Sequence, residues 1–147
     1  MRLRKAEQAD ASAISAVIIR AISQTNAKDY PPEFIAALPE HFSPAQIANR
    51  LATRDTYVAL DAERVIATAS LDGATVRSVF VLPQYQGSGV GLALMKHIEA
   101  LARERDIVSL SVPSSITAVG FYQRLGYQTV REVYEGVERI IVMTKAI

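Results

Sequence analysis

From Val79 to Gly91 the chain reads Val79-Phe80-Val81-Leu82-Pro83-Gln84-Tyr85-Gln86-Gly87-Ser88-Gly89-Val90-Gly91, a strand pattern that runs through a three-glycine turn straight into a helical pattern. Leu94, Ile98 and Leu101 then recur at i, i+4 and i+7, so the backbone must change from extended to helical within a few residues. Glycine permits φ > 0 and a close approach to a ligand, and the free amides and dipole at a helix N-terminus favour an anion. The turn therefore reads as a phosphate site, and spacing separates the candidates. A P-loop ends in Gly-Lys-Ser/Thr, whereas this turn ends in Gly89-Val90-Gly91-Leu92. A dinucleotide fingerprint counted from Gly87 needs glycine where Leu92 stands, and the strands before it read as hairpins. The bland alternative is an ordinary strand-to-helix turn whose glycines serve packing.

The rest of the chain supplies the frame. Its 147 residues suit one domain spanning 1–147, and no repeat or low-complexity linker divides it. After a strand near Leu3–Glu7, Asp10 can cap a helix with Ile14, Val17, Ile18 and Ala21 on one face, ending near Thr25–Asn26. Pro31, Pro32 and Pro39 break the segment Asn26–Phe42 into a loop with at most a short helix around Glu33–Leu38. Ser43-Pro44-Ala45-Gln46 reads as a capping box that opens a helix to about Thr53. From Thr56 the period changes to two. Thr56–Leu60, Val65–Leu71 and Thr75–Leu82 form an antiparallel meander through tight turns. Val108–Val112 reads as a strand stopped by Pro113, Ser114 or Ser115 as the cap of a helix that stops at Gly126, and Tyr127–Val133 with Arg139–Thr144 as a final hairpin.

Composition narrows the chemistry. A formal charge of +1 argues against nucleic acid as the main partner. Without cysteine there is no disulfide, thiolate metal site or thiol nucleophile, and two separated histidines build no metal centre. Glu7 and Asp10 spoil a secretory reading of the N-terminus, and no run approaches the ~18 apolar residues of a membrane span. No membrane role is expected, and the cytoplasm is the default location.

Gln86, Gly89 and Gly91 satisfy Gln-x-x-Gly-x-Gly, and this resembles the signature of the GNAT superfamily of N-acetyltransferases, whose loop holds the pyrophosphate of acetyl-coenzyme A. Phe80-Val81-Leu82-Pro83 resembles the family's strand ending in x-Val-x-Pro. Phe121-Tyr122-Gln123-Arg124-Leu125-Gly126-Tyr127 resembles its later Phe-Tyr-x-x-x-Gly-Phe/Tyr segment. The likeness runs from about Val65 to Tyr127, and over residues 1–60 it is one of architecture. It implies an α/β fold: a mixed, mostly antiparallel sheet of about six or seven strands flanked by about four helices, opened near the middle so that coenzyme A enters between Thr75–Leu82 and Val108–Val112.

By the same resemblance an amine attacks the acyl thioester directly and expels the coenzyme thiolate. The backbone of Val79, Phe80 and Val81 would hold the pantetheine arm, and Gln86, Gly87, Ser88, Gly89, Val90 and Gly91 the pyrophosphate, with Gln86 where relatives often carry Arg. Tyr122 stands at the position of the frequent proton donor, and a phenol of reference pKa ≈ 10 suits a thiolate of similar basicity. Its structural alternative is a residue that lines the channel or packs in the core. Ser115 stands where many members carry an Asn that contacts the coenzyme. No carboxylate on the central strands suggests a general base. Asp29, Tyr30, Glu33, Glu40 and His41 lie in Asn26–Phe42, which reads as the acceptor-specificity element for a cationic or aromatic amine. A water chain, or an amine that arrives neutral, would make a base unnecessary. Neither His41 nor His97 is assigned to catalysis. The expected partner is a small-molecule or peptide amine, with a homodimer implied by analogy. The competing reading is a non-catalytic acyl-coenzyme A-binding module that keeps the loop and lacks turnover.

Overall fold

The fold is that of a computed structural model, which describes residues 1–147 apart from the side chain of Asn26. Seven strands form one sheet in the order β1-β2-β3-β4-β5-β7-β6. They are β1 (Arg2–Lys5), β2 (Asp55–Asp61), β3 (Arg64–Asp72), β4 (Thr75–Val81), β5 (Ser109–Ser114), β6 (Gln128–Glu135) and β7 (Glu138–Ala146). Every neighbouring pair is antiparallel except β4 with β5, the two strands joined by a long helical crossover. All residues from Val65 to Leu71 of β3 are buried, so helices cover both faces of the sheet at its centre.

The helices are α1 (Ala11–Ala21), α2 (Pro32–Ala36), α3 (Leu38–His41), α4 (Pro44–Leu51), α5 (Val90–Glu104) and α6 (Val119–Arg124). On α1, Ile14, Val17, Ile18 and Ala21 are buried as their spacing requires, and a π-helical turn over Ile22–Asn26 carries the helix on. The Ser43 side chain accepts from the Gln46 amide at 3.2 Å and so caps α4. On the other face α5 buries Leu94, Met95, Ile98 and Ala102.

Several local expectations are corrected. Asp10 does not cap α1. Its carboxylate turns back to accept from the Glu7 amide at 2.7 Å and from both terminal nitrogens of Arg4 at 2.7 and 2.9 Å. The Asn26–Phe42 segment holds two short helices instead of one, because Pro32 and Pro39 each fall in a first turn, where proline's missing N–H costs nothing. Pro113 does not stop β5; it lies within the strand, opposite Val142. The Ser111 amide points toward β4, where it donates to the Ala74 carbonyl at 3.0 Å, and Pro113 shares that orientation two residues on. Its missing donor therefore falls on a side where β4 has already diverged. Val108 lies outside the strand and is 76% exposed. The helix after β5 starts at Val119, so neither Ser114 nor Ser115 caps it directly.

The Arg4–Asp10 pair predicts a pH dependence. Hydrogen bonds from Arg4 hold the Asp10 carboxyl below its usual range. The stabilisation is present above the unfolded carboxylate pKa and is lost as pH falls through the folded one. Asp10→Asn should cost about 1–2 kcal/mol near neutral pH. Urea midpoints of the variant and the parent should converge as the pH is lowered toward about 2.

Candidate functional site

Strand β4 meets β5 in a single register, Thr75 opposite Ser111, and the two then part. The other edge of β4 contributes to the parting. Thr68 pairs with Phe80 and Ser70 with Arg77, so Ser78 and Val79 together stand opposite Ala69 as a bulge. Ser78 takes φ +54°, a left-handed conformation that non-glycine residues adopt only under local constraint. The bulge bends β4 and leaves the edge beyond Thr75 without a strand partner.

Beside that edge lies a cavity of about 540 Å³. Val79, Phe80 and Val81 all line it, although successive side chains of a strand point to opposite faces. Three consecutive residues can border one cavity because the strand presents its edge, with its amides and carbonyls, as well as a face. The opposite wall is Phe121 and Tyr122 of α6, with Thr117 and Ala118 before it and Leu125 just after it, and Ala21 at the end of α1 and Thr25 in the following turn close the site. The cavity thus lies between β4 and α6. None of Val108–Val112 is among its lining residues, in contrast to the opening expected from the sequence.

The glycine turn forms one end. Gly87 and Gly89 take φ +78° and +90°. Amides of Tyr85, Gln86 and Ser88 are used inside the turn, but those of Gly87, Gly89, Val90, Gly91 and Leu92 have no acceptor among the described residues. Five unpaired donors lie together at the start of the 15-residue α5 with its dipole behind them, an arrangement that favours an oxyanion. Gly91 serves packing: a Cβ there would stand 3.2 Å from the Phe121 ring, so a larger residue would have to push the ring back by a few tenths of an ångström.

Of the residues singled out in the sequence, Val79, Phe80, Val81, Gln86, Gly87, Gly89, Gly91 and Tyr122 border this one cavity. Val90 is buried in the core and offers only its amide. The Ser88 hydroxyl turns back to the Tyr85 carbonyl. The Gln86 carboxamide donates to Thr25 Oγ1 at 3.0 Å and to the Val81 carbonyl at 3.3 Å, so it braces the turn against β4 and α1. Ser115 is not a lining residue; its carbonyl accepts from Ser114 Oγ at 2.7 Å and from the Ala118 amide at 3.2 Å. Arg124 had no motif to reveal it. It lies on the face of α6 that carries Phe121 and Leu125, borders the cavity, and has no carboxylate partner among the described residues.

Tyr122 is 5% exposed. Its hydroxyl has no hydrogen-bond partner among the described residues, and no fully buried side-chain oxygen is left unsatisfied, so the phenol keeps access to the cavity. Burial raises its pKa, which keeps it protonated. Gly126, at φ +98°, ends α6. The Tyr127 amide reaches the Tyr122 carbonyl and the Gly126 amide the Gln123 carbonyl, each at 3.0 Å, in a Schellman arrangement. The Tyr127 ring then packs edge-on against Tyr122 at 5.8 Å, and its hydroxyl donates to Glu99 Oε2 at 2.8 Å. Lys145 pairs with the same buried carboxylate at 2.9 Å.

The candidate bases of the Asn26–Phe42 segment are otherwise engaged or distant. Asp29 accepts from the Thr117 amide at 3.0 Å and from the Thr117 hydroxyl, which ties the segment to the approach to α6. Tyr30 stacks on Phe34 at 4.5 Å; burial, with Glu138 and Asp29 nearby, raises its phenol pKa and makes it no base near neutrality. Glu33, Glu40 and His41 do not line the cavity, and His97 packs against Tyr57 at 4.4 Å on α5. Among the described residues no group of three or more His, Cys, Asp or Glu could hold a metal, and no helix is long and apolar enough to cross a membrane.

A split mixed sheet with a glycine turn and a free helix N-terminus at its fork defines a class, and residues 26–145 match the profile described as "Acetyltransferase (GNAT) domain". The chain belongs to this family of acetyltransferases. It is 29% identical over 132 residues to the uncharacterized N-acetyltransferase YafP of Escherichia coli K12, over 90% of this chain and 84% of that one. A GCN5-related N-acetyltransferase crystal structure from Rhodopseudomonas palustris matches with TM-score 0.93 and 28% identity over 99% of this chain and 95% of that one. The fold is shared also with the PaiA N-acetyltransferase of Thermoplasma acidophilum, solved in complex with coenzyme A, at TM-score 0.83 and 18% identity over 99% and 98% of the two chains.

Gly89→Ala forces a left-handed Cβ into the turn and should lower stability by about 1–2 kcal/mol. Urea denaturation measures it, and a change within error would mean that the turn relaxes to another conformation.

Proposed function

We propose that the chain moves the acetyl group of acetyl-coenzyme A to a primary amine by direct attack on the thioester carbonyl, with Tyr122 as general acid. One observation carries this reading: an unpartnered, buried phenol borders the same cavity as the free edge of β4 and four of the five residues of the glycine turn and helix start whose amides are free.

The residues fit the co-substrate by chemistry. The amides of Gly87, Gly89, Val90, Gly91 and Leu92 would hold the diphosphate, and Arg124 supplies the positive charge that Gln86 does not. The edge of Val79–Val81 would pair with the amide-bearing arm as a missing strand does, and an N–H at the bulge would donate to the developing oxyanion. The amine nitrogen forms a bond to the acetyl carbon, the carbon–sulfur bond breaks, Tyr122 gives its proton to the departing sulfur, the ammonium proton leaves to solvent, and the tyrosinate takes a proton back from solvent. With Asp29 engaged by Thr117, an amine that arrives neutral or a water chain replaces a dedicated base.

The acceptor is proposed to be a small-molecule or peptide amine. The stacked Tyr30 and Phe34 favour one with an apolar or aromatic body. The proposed setting is cytoplasmic, with no membrane or nucleic-acid partner. The exposed edge strand β6, with Val130 and Tyr134 uncovered, supports a homodimer.

Tyr122→Phe should lower kcat for thiol release by about 10²–10⁴-fold and leave the KM for acetyl-coenzyme A within about twofold. Wild-type activity should rise toward alkaline pH as the amine loses its proton, without a falling limb from Tyr122, whose pKa burial raises. An unaltered kcat in the variant contradicts the acid role. Binding of the coenzyme without thiol release from any amine favours the non-catalytic module.

A further inference from the structure

Strand β6 ends the sheet and pairs on one side only, with β7, and seven of its eight residues are exposed. We propose that a second copy of the chain pairs with this edge as an antiparallel strand, in one register whose two-fold axis passes through Val133. The inference rests on the homodimer reading and names the interface that this reading leaves open.

The hydrogen-bond phase of β6 limits the registers. Gly136, at φ +61°, and Val137 form the turn, and Glu135 and Glu138 flank it. Residues that flank a two-residue hairpin turn exchange both main-chain bonds, and bonded pairs alternate from there. Glu135, Val133 and Arg131 therefore bond to Glu138, Ile140 and Val142, and the N–H and C=O groups of Glu132 and Tyr134 point away from β7. The far side of β7 gives the same phase. The Ser111 amide turns to β4, which leaves Leu110, Val112 and Ser114 to bond Lys145, Met143 and Ile141, so the alternate residues of β7 are the ones that bond β6. In an antiparallel pair of β6 strands the outward groups must meet outward groups. The axis therefore passes through a residue position and not between two.

Charge selects the position. An axis through Glu132 sets two carboxylates directly opposite each other, and an axis through Tyr134 sets Val133 opposite Glu135 and carries Arg131 past the strand into the turn. An axis through Val133 brings valine to valine, Arg131 to the partner's Glu135 on both sides of it, and Glu132 to the partner's Tyr134 for the main-chain bonds. Arg131, Val133 and Glu135 share one face of the strand. Within the chain neither Arg131 nor Glu135 has an ion partner among the described residues, whereas Arg139 already holds Glu132. Two unpaired opposite charges thus stand equally far from Val133, and the two-fold supplies each with its partner. The opposite edge differs. Strand β1 has four residues, and Arg2, Arg4 and Lys5 make it a like-charge edge that resists a second copy.

The test uses the absence of cysteine from the chain, so that Val133→Cys introduces a single thiol. Across the axis it meets its twin in a non-hydrogen-bonded pair, with Cα atoms about 4.5 Å apart and within disulfide reach. Under mild oxidation the full-length variant should form a linked dimer about tenfold faster than Tyr134→Cys, whose thiols are offset along the strands. In sedimentation the parent should show a concentration-dependent dimer. Arg131→Glu and Glu135→Arg should each raise its dissociation constant by about tenfold or more, and the two together should restore it to within about threefold. A parent that stays monomeric at every concentration removes the homodimer and this interface with it. A dimer indifferent to the single reversals, a double variant that does not recover, or faster linkage through Tyr134→Cys keeps the homodimer and overturns the register. None of these readouts depends on acetyl transfer.

Discussion

Among the described residues Thr75 opposite Ser111 is the one parallel register between β4 and β5, and the function proposed for the chain depends on how soon that pairing ends. A parallel pair that continued would satisfy the edge of β4 with protein and leave nothing to offer a ligand. The bulge at Ser78 and Val79 turns β4 away, and Pro113 places its missing donor on the open side of β5. The sheet gives up pairing at its centre, where backbone polar groups are costly to leave unmet. Strands β1 to β3 on one side and β7 with β6 on the other hold the two arms apart. In the proposed reaction the substrate supplies the missing hydrogen bonds.

What borders the fork is held by unglamorous packing. Gly91 lets α5 meet Phe121, Gly126 ends α6 so that Tyr127 locks its last turn, and the buried Glu99 fixes Tyr127 through its hydroxyl while Lys145 balances the charge. The Tyr122 ring is set between Phe121 and Tyr127, at 5.1 and 5.8 Å. Burial raises the phenol's pKa and so keeps it protonated near neutrality, the state that the proposed acid role requires. Rigid placement and protonation state thus share one cause.

Much of this was legible because it is local. The meander declared itself through alternation, the glycine turn through its spacing, and seven of the ten residues singled out for the coenzyme border the cavity. The remaining three did not, for distinct reasons. Val90 faces the core, Ser88 bonds back within its turn, and Ser115 is part of the turn before α6. Other features depend on residues far apart in sequence. Asp29 meets Thr117 across 88 positions, and the Ser78 bulge appears only once β3 sets the register. The place of Pro113 within β5 is not legible locally, because a proline's cost in a strand depends on which neighbour its edge lacks.

Backbone amide NMR spectra recorded with and without coenzyme A test the central claim most directly. The account predicts that the amides of Gly87, Gly89, Gly91 and Val79–Val81 shift and become protected from exchange with solvent. Perturbations confined to other parts of the sheet, with those amides unmoved, would contradict it.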